Sequence, residues 1–273
     1  MKIGHKYLRF GFIVLLALLF NACSEFQKAL KSEDPAVKLS LATKLYDEGK
    51  YQKAIRLFEQ VIPNYRGKPQ GERLFFMNGM AYYNTKQYYL AGYQLETFAS
   101  NYPRSEKVEE ASFLSAVSYA KLSPRHTLDQ ADTFKAIDKF QNFINTYPNS
   151  IHMPEANKIA KELREKIERK VYENAILYNK IARFSADHMA AITTLDNFIE
   201  DYPGTPYKED AMYFKFDSAY KLAMNSVERK KLERLKNASL YYKNLVKFKP
   251  DTKYRSKIDA MHKEIEQEIS KMS

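Results

Sequence analysis

Three segments, Glu96–Ser105 (ETFASNYPRS), Gln141–Ser150 (QNFINTYPNS) and Asp196–Thr205 (DNFIEDYPGT), are copies of one pattern, and their common register decides the fold. Aligned on the residue before the proline they superimpose Tyr102, Tyr147 and Tyr202, and the register extends outward to Tyr65 and Lys249. Eleven residues upstream of each stands an alanine: Ala54, Ala91, Ala136, Ala191 and Ala238. Seven upstream are Phe58, Leu95, Phe140, Leu195 and Tyr242, and four upstream are Val61, Phe98, Phe143, Phe198 and Leu245. Steps of four, three and four residues put these side chains on one face of a helix. The chain thus carries five copies of one amphipathic helix. Four copies are stopped by Pro103, Pro148, Pro203 or Pro250, because proline cannot continue a helix and restricts the residue before it. In the first copy Arg66 takes that place and the proline is Pro63, so this helix is expected to end early or irregularly.

The second copy shows which repeat this is. Phe75, Asn78, Gly79, Tyr82, Ala91, Leu95 and Pro103 resemble the tetratricopeptide pattern, with Phe for Trp, Asn for Leu and Leu for Phe. Gly79 and Ala91 are small where two antiparallel helices cross, and Tyr82, Leu95 and Phe98 fill the space beside them. Leu41, Ala42, Leu45, Gly49, Tyr51, Ala54 and Phe58 repeat the match in the first copy. Such helix pairs stack into a superhelix. The expected fold is all-α: a superhelical solenoid of about five tetratricopeptide-like helix pairs with a C-terminal capping helix.

Successive copies lie 37, 45, 55 and 47 residues apart, and the excess over a uniform repeat predicts three irregularities. SPRHTLDQAD (123–132) enlarges a turn, with Pro124 as breaker and Thr127 as cap. Pro154 to about Phe184 reads as one long helix joining the third and fourth copies, and NSVERKKLER (225–234) as a longer helix–helix connection. A last helix over about Lys253–Ile269 caps the stack. The expected organisation is residues 1–22 as a signal peptide, 23–33 as a lipidated tether, 34–150 as repeats one to three, and 151–273 as the linking helix, repeats four and five and the cap.

The start of the chain reads as a targeting segment. Lys2, Lys6 and Arg9 precede an uncharged run from Phe10 to Phe20, the order found in secretory signals. That run is too short to span a bilayer comfortably, since a transmembrane helix needs about 20 apolar residues. Cys23, the only cysteine, follows the small Ala22. As nucleophile, buried thiol or modified residue, it fits modification best, because Phe20-Asn21-Ala22-Cys23 resembles the lipobox of bacterial lipoproteins, whose cysteine is acylated. The usual leucine three before the cysteine is Phe20 here. Each buried CH₂ contributes about 0.8 kcal/mol, so two or three acyl chains would hold a soluble domain to a membrane. Ser24, where Asp signals inner-membrane retention in well-studied Gram-negative lipoproteins, resembles an outer-membrane address.

Charge and chemistry exclude other classes. Removing the three positive charges of the leader from the +11 of the whole chain leaves +8. These cations are interleaved with Glu, as in KELREKIERK (161–170), which marks solvated helix faces rather than a groove that tracks phosphates. Nucleic acid is not an expected partner; an acidic partner or an anionic membrane surface suits the charge better. His5, His126, His152, His188 and His262 are scattered, with no second ligand at metal spacing, so no metal or other cofactor is expected. Eight glycines leave little material for phosphate-cradling loops, and no nucleophile elbow is present, so catalysis is not expected. Binding is the remaining activity. Arg73, Phe76, Met80 and Tyr83 lie on a face of their helix different from that of Phe75, Gly79 and Tyr82, and Leu39 and Tyr46 take equivalent places in the first copy. A helix apolar on two faces needs two partners, so these six residues are candidates for a groove that takes an extended peptide; packing against neighbouring repeats is the alternative use.

Signal, lipobox, five divergent repeats and length together resemble the BamD family, the D lipoproteins of the outer-membrane β-barrel assembly machinery. The resemblance rests most on CSEFQKAL (23–30), NYPRSEKVEEA (101–111), SPRHTLDQADTFKAIDKFQNFINTYPNS (123–150) and KVYENAILYNKIARF (170–184), which are similar to the form found in Bacteroidetes-type bacteria. The resemblance implies a scaffold anchored in the outer membrane through Cys23 and facing the periplasm. It also implies that the C-terminal repeats contact the barrel assembly subunit BamA and the N-terminal repeats receive unfolded outer-membrane protein segments, without a cofactor. A periplasmic tetratricopeptide lipoprotein that coordinates cell-envelope synthesis would share anchor and repeats. A glycan-binding outer-membrane lipoprotein would usually need a large non-repeat domain.

Overall fold

The computed structural model describes residues 25–185 and 187–272, and these contain helices and no strand. Cys23 and the leader lie outside the described residues. A short helix α1 (25–31) precedes α2 (Pro35–Asp47), α3 (Tyr51–Tyr65), α4 (Pro69–Asn84), α5 (Tyr88–Asn101), α6 (Val108–Leu122) and α7 (Ala131–Thr146). Then follow α8 (Met153–Ser185), α9 (His188–Asp201), α10 (Lys208–Met224), α11 (Glu228–Phe248) and α12 (Arg255–Lys271). One compact unit runs to Pro124 and resumes over Asp129–Leu163; the other takes Arg125–Leu128 and everything from Arg164.

The repeated register is the core. The five alanines are fully buried, as are Phe58, Leu95, Phe140 and Leu195, with Val61, Phe98, Phe143, Phe198 and Leu245 beneath the next turn. Each large apolar side chain so removed from water contributes about 1.5–3 kcal/mol relative to leaving it exposed. Three of the five helices end identically. The backbone N–H groups of Tyr102, Tyr147 and Tyr202 donate to the carbonyls of Phe98, Phe143 and Phe198 at 2.9–3.0 Å, and each tyrosine ring sits 5.3 Å from that phenylalanine's ring. Proline follows and stops the helix. Between the helices of the second pair, a Cβ at Gly79 would lie 2.7 Å from Leu95 Cδ2, and Leu95 is fully buried. Only glycine lets these two backbones approach so closely.

Four expectations meet a different outcome. Helix α3 does not end early: it runs through Pro63 to Tyr65. Pro63 falls in its last turn, where the one carbonyl it leaves without an N–H belongs to exposed Glu59, which water can reach; Gly67, at φ 76°, then makes the turn into α4. The enlarged turn is present over 123–130, but Thr127 is not the cap: Asp129 Oδ1 accepts the Ala131 N–H at 2.9 Å. Asp129 stands two residues before that N–H, the reach of an Asx side chain, whereas Thr127 stands four before it. The residues NSVERKKLER do not lengthen the connection; only Asn225–Val227 separate α10 from α11, and the Lys, Glu and Leu that follow extend α11 itself. Finally, residues 25–31 of the expected tether are helical, with Phe26 and Ala29 buried against Leu41, Leu45, Ala54 and Leu57.

Candidate functional site

The turns between helix pairs repeat a junction that the sequence register had not displayed. In the first, Glu72 of α4 accepts from the buried Ser105 hydroxyl at 2.5 Å, while Ser105 Oγ accepts the Lys107 N–H at 3.0 Å. Glu109 treats Ser150 identically, at 2.5 Å, with Ser150 Oγ on the His152 N–H. Glu209 and Thr252 repeat it at 2.7 Å, with Thr252 Oγ1 on the Tyr254 N–H. Thr205 Oγ1 likewise accepts the Tyr207 N–H, and Glu168, in the matching place on α8, has one buried carboxylate oxygen without a partner. The hydroxyl thus caps the following turn, and an acid from the preceding helix pair holds the hydroxyl.

Four residues beyond each acid stands an aromatic ring, and two beyond each hydroxyl stands its partner. Phe113 stacks on His152 with ring centroids 4.4 Å apart, Tyr172 on Tyr207 at 4.4 Å and Tyr213 on Tyr254 at 3.7 Å. In the first junction the ring is Phe76 and its partner is Lys107, whose Nζ lies 5.6 Å from the ring centroid. An ammonium on a flexible stem covers less of a ring than a stacked ring does. Phe113, Tyr172 and Tyr213 are accordingly buried, whereas Phe76 keeps intermediate exposure.

The uncovered ring forms the floor of a recess of about 500 Å³ lined by Tyr46, Asp47, Pro69, Glu72, Arg73, Phe76, Met77, Phe98 and Lys107. Phe76 leans on Phe98 with centroids 5.4 Å apart, and Lys107 Nζ pairs with Glu110 at 2.9 Å. Burial pushes the Tyr46 hydroxyl up, and Tyr51, Asp47 and Glu110 add to it, so it stays a neutral hydrogen-bonding group near pH 7. Of the six sequence candidates, Tyr46, Arg73 and Phe76 come together here. The other three lie elsewhere: Leu39 packs on the first core cluster, Met80 against Phe75, Leu95, Phe98 and Ala111, and Tyr83 between the clusters on either side, its ring 5.9 Å from that of Tyr88. Sequence reasoning missed Lys107, for which the signal existed: it is the one non-aromatic partner among Lys107, His152, Tyr207 and Tyr254. Among the described residues no cluster of three His, Cys, Asp or Glu could hold a metal, and no helix is long and apolar enough to cross a membrane.

Known proteins resemble this chain along most of its length. An outer membrane protein assembly factor BamD of Rickettsia prowazekii (strain Madrid E) is 23% identical over 225 residues, which cover 80% of this chain and 86% of that protein. The BamD of Pasteurella multocida (strain Pm70) is 22% identical over 82% of this chain and 88% of its own. That of Caulobacter vibrioides (strain ATCC 19089 / CIP 103742 / CB 15) is 24% identical over 78% and 70%. Among solved structures, the TPR2AB domain of yeast Sti1 in its pHSP90 complex has a TM-score of 0.38 at 14% identity, covering 85% of this chain and 98% of that one. The family model described as "Outer membrane lipoprotein", YfiO, matches residues 34–186 and 182–272, nearly everything the repeats occupy. The chain belongs to the YfiO family of outer membrane lipoproteins.

Proposed function

We propose that this lipoprotein is a scaffold of outer-membrane protein assembly, acylated at Cys23, facing the periplasm and without a catalytic step of its own. In this reading its N-terminal repeats receive unfolded outer-membrane protein segments and its C-terminal repeats hold the barrel assembly subunit BamA. The naming of the three relatives as assembly factors supports the role. The observation that carries substrate binding is the recess over Phe76, left open where the other junctions close a ring on a ring. Its chemistry suits the end of an unfolded barrel strand: an aromatic floor of Phe76 and Phe98 for a large apolar side chain, with Arg73 and Lys107 beside it for a carboxylate. Tyr46 adds a hydroxyl at the wall.

Crosslinking to C-terminal peptides of barrel proteins tests this reading. Phe76→Ala with Arg73→Gln is expected to weaken crosslinking about tenfold or more, the loss of roughly 1.4 kcal/mol or greater, with helicity retained. Unchanged crosslinking by a folded variant rejects the recess as the receiving site.

A further inference from the structure

The face of α8 that bears Leu177 and Tyr178 is out of keeping with every matching face in the molecule. The junction rings set the register, since Phe76, Phe113, Tyr172 and Tyr213 occupy one place on α4, α6, α8 and α10. Five and six residues further on, α4 has Ala81 and Tyr82 at 0% and 3% exposure, α6 has Ser118 and Tyr119 at 0% and 3%, and α10 has Ser218 and Ala219 at 0% and 3%. In α8 the same two places hold Leu177 at 49% and Tyr178 at 48%.

The other helices show what belongs on that face. On α4 it is α3, where Glu59 accepts from the Tyr82 hydroxyl. On α6 it is α5, where Glu96 accepts from Tyr119 at 3.2 Å and the Gly92 carbonyl from Ser115 at 2.8 Å. On α10 it is α9, whose Asp196 pairs with Lys215. Even α2, first in its unit, has its face closed by α1: Leu41 and Leu45 are buried with Phe26 and Ala29, and Lys44 pairs with Glu25 at 3.5 Å. In all four cases the cover is a helix, and in the three full pairs it presents an acid five residues after an alanine: Ala54 and Glu59, Ala91 and Glu96, Ala191 and Asp196.

Among the described residues the second unit, which takes α8 from Arg164 on, has no helix ahead of it, only the segment Arg125–Leu128, whose Leu128 carbonyl accepts from Lys170 Nζ at 2.5 Å and whose His126 pairs with Glu173 at 2.9 Å, one to two turns before Leu177. The opposite side of α8 is already committed, with Tyr172, Ala175 and Asn179 buried and Asn179 Nδ2 donating to Asp217 at 2.9 Å and Ser218 at 2.7 Å. Beyond Leu163, helix α8 therefore has a second apolar side that the second unit leaves in water at Leu177 and Tyr178.

We propose that this face is the seat of an amphipathic helix from another protein, docked as the missing preceding helix of the repeat. The occupant presents small residues toward Leu177, and a carboxylate within hydrogen-bonding reach of the Tyr178 hydroxyl, as Glu59 does for Tyr82 and Glu96 for Tyr119. A flat lipid surface offers neither the groove-filling stripe nor the placed acid. The inference stands on the register of α8 and is independent of the recess over Phe76.

The test places a photo-crosslinking amino acid at position 178 of the full chain in its own cells, with exposed position 236 of α11 as control, and sequences the linked peptides. Adducts from 178, and not from 236, to one amphipathic helical segment of a different protein are expected, with an acid within two turns of the linked residue. Leu177→Asp should reduce them at least tenfold, read by linking from position 181, while the melting temperature moves by no more than about 2 °C. Adducts only to a second copy of this chain, only to lipid, or no more abundant than at 236 would each overturn the proposal, as would adducts that survive Leu177→Asp.

Discussion

At the turn before α12, the Glu209 carboxylate accepts from Thr252 Oγ1 at 2.7 Å and from the Lys253 N–H at 3.0 Å, and pairs with Lys249 Nζ at 3.0 Å. The Thr252 hydroxyl, with Lys249 and the Lys253 N–H, outweighs the opposing effect of burial and holds this carboxyl down at about 2. A depressed carboxylate pKa stabilises the fold above the value of the unfolded chain, near 4.5, and that contribution is lost as pH falls toward 2. Glu209→Gln keeps an acceptor for Thr252 but cannot ionise. It should cost about 1–2 kcal/mol near neutral pH and flatten the decline of stability between about pH 4.5 and 2. Urea unfolding of the two proteins across that range decides the matter; an equal slope in both would show that the charge of Glu209 contributes nothing to the turn.

Between elements, the same turn recurs with different chemistry, and one copy is open where the others are shut. Lys107→Tyr should convert the first junction to the form of Tyr172 with Tyr207, adding a ring pair of about 0.5–1.5 kcal/mol and raising the melting temperature. If the recess over Phe76 receives substrate, the same change should weaken peptide crosslinking; stabilisation without loss of crosslinking would separate the recess from binding. The repeat helices were legible in the sequence because their contacts are local: alanine and large apolar residues at helical spacing, then proline, mean the same in every copy. The junctions were not. Their partners lie 33 residues apart for Glu72 and Ser105 but 43 for Glu209 and Thr252, and the ring's partner changes from Lys to His to Tyr. The hydroxyl and the ring's partner keep fixed places three and five residues after the register residue, but unequal spacing hides the acid and its ring until the fold aligns them. The candidate site was half legible for the same reason, since Tyr46, Arg73 and Phe76 follow from helix faces while Lys107 comes from a turn. At α11 the misreading was of kind: a long insertion between repeats suggests a loop, yet Glu228–Leu235 has the composition of a helix and simply lengthens one.

For the whole molecule, the way α1 seats on the first repeat governs how the proposed anchor would relate to the folded body. Phe26 is 5% exposed, packed among Ala29, Leu41, Leu45 and Leu57, with Lys53 Nζ and the Arg56 guanidinium about 5.5 Å from its ring. It stands three residues after Cys23, a reach of about 10 Å even fully extended. An acyl group on Cys23 would therefore hold the first unit close against the membrane rather than on a loose leash. Phe26→Ser removes the ring and buries a hydroxyl, a loss of about 3–5 kcal/mol by analogy with deleting a core Phe, more than a seven-residue helix can retain unaided. The repeats behind it keep their own core. The variant should remain acylated and sediment with membranes, but Lys28 and Lys31 should become trypsin sites, because proteolysis requires the backbone to leave the helix. Brief trypsin treatment of opened vesicles should then release the repeat domain of Phe26→Ser into the soluble fraction while the wild-type domain stays bound. Equal release from both would mean that α1 opens freely and that residues 23–33 act as a flexible tether after all.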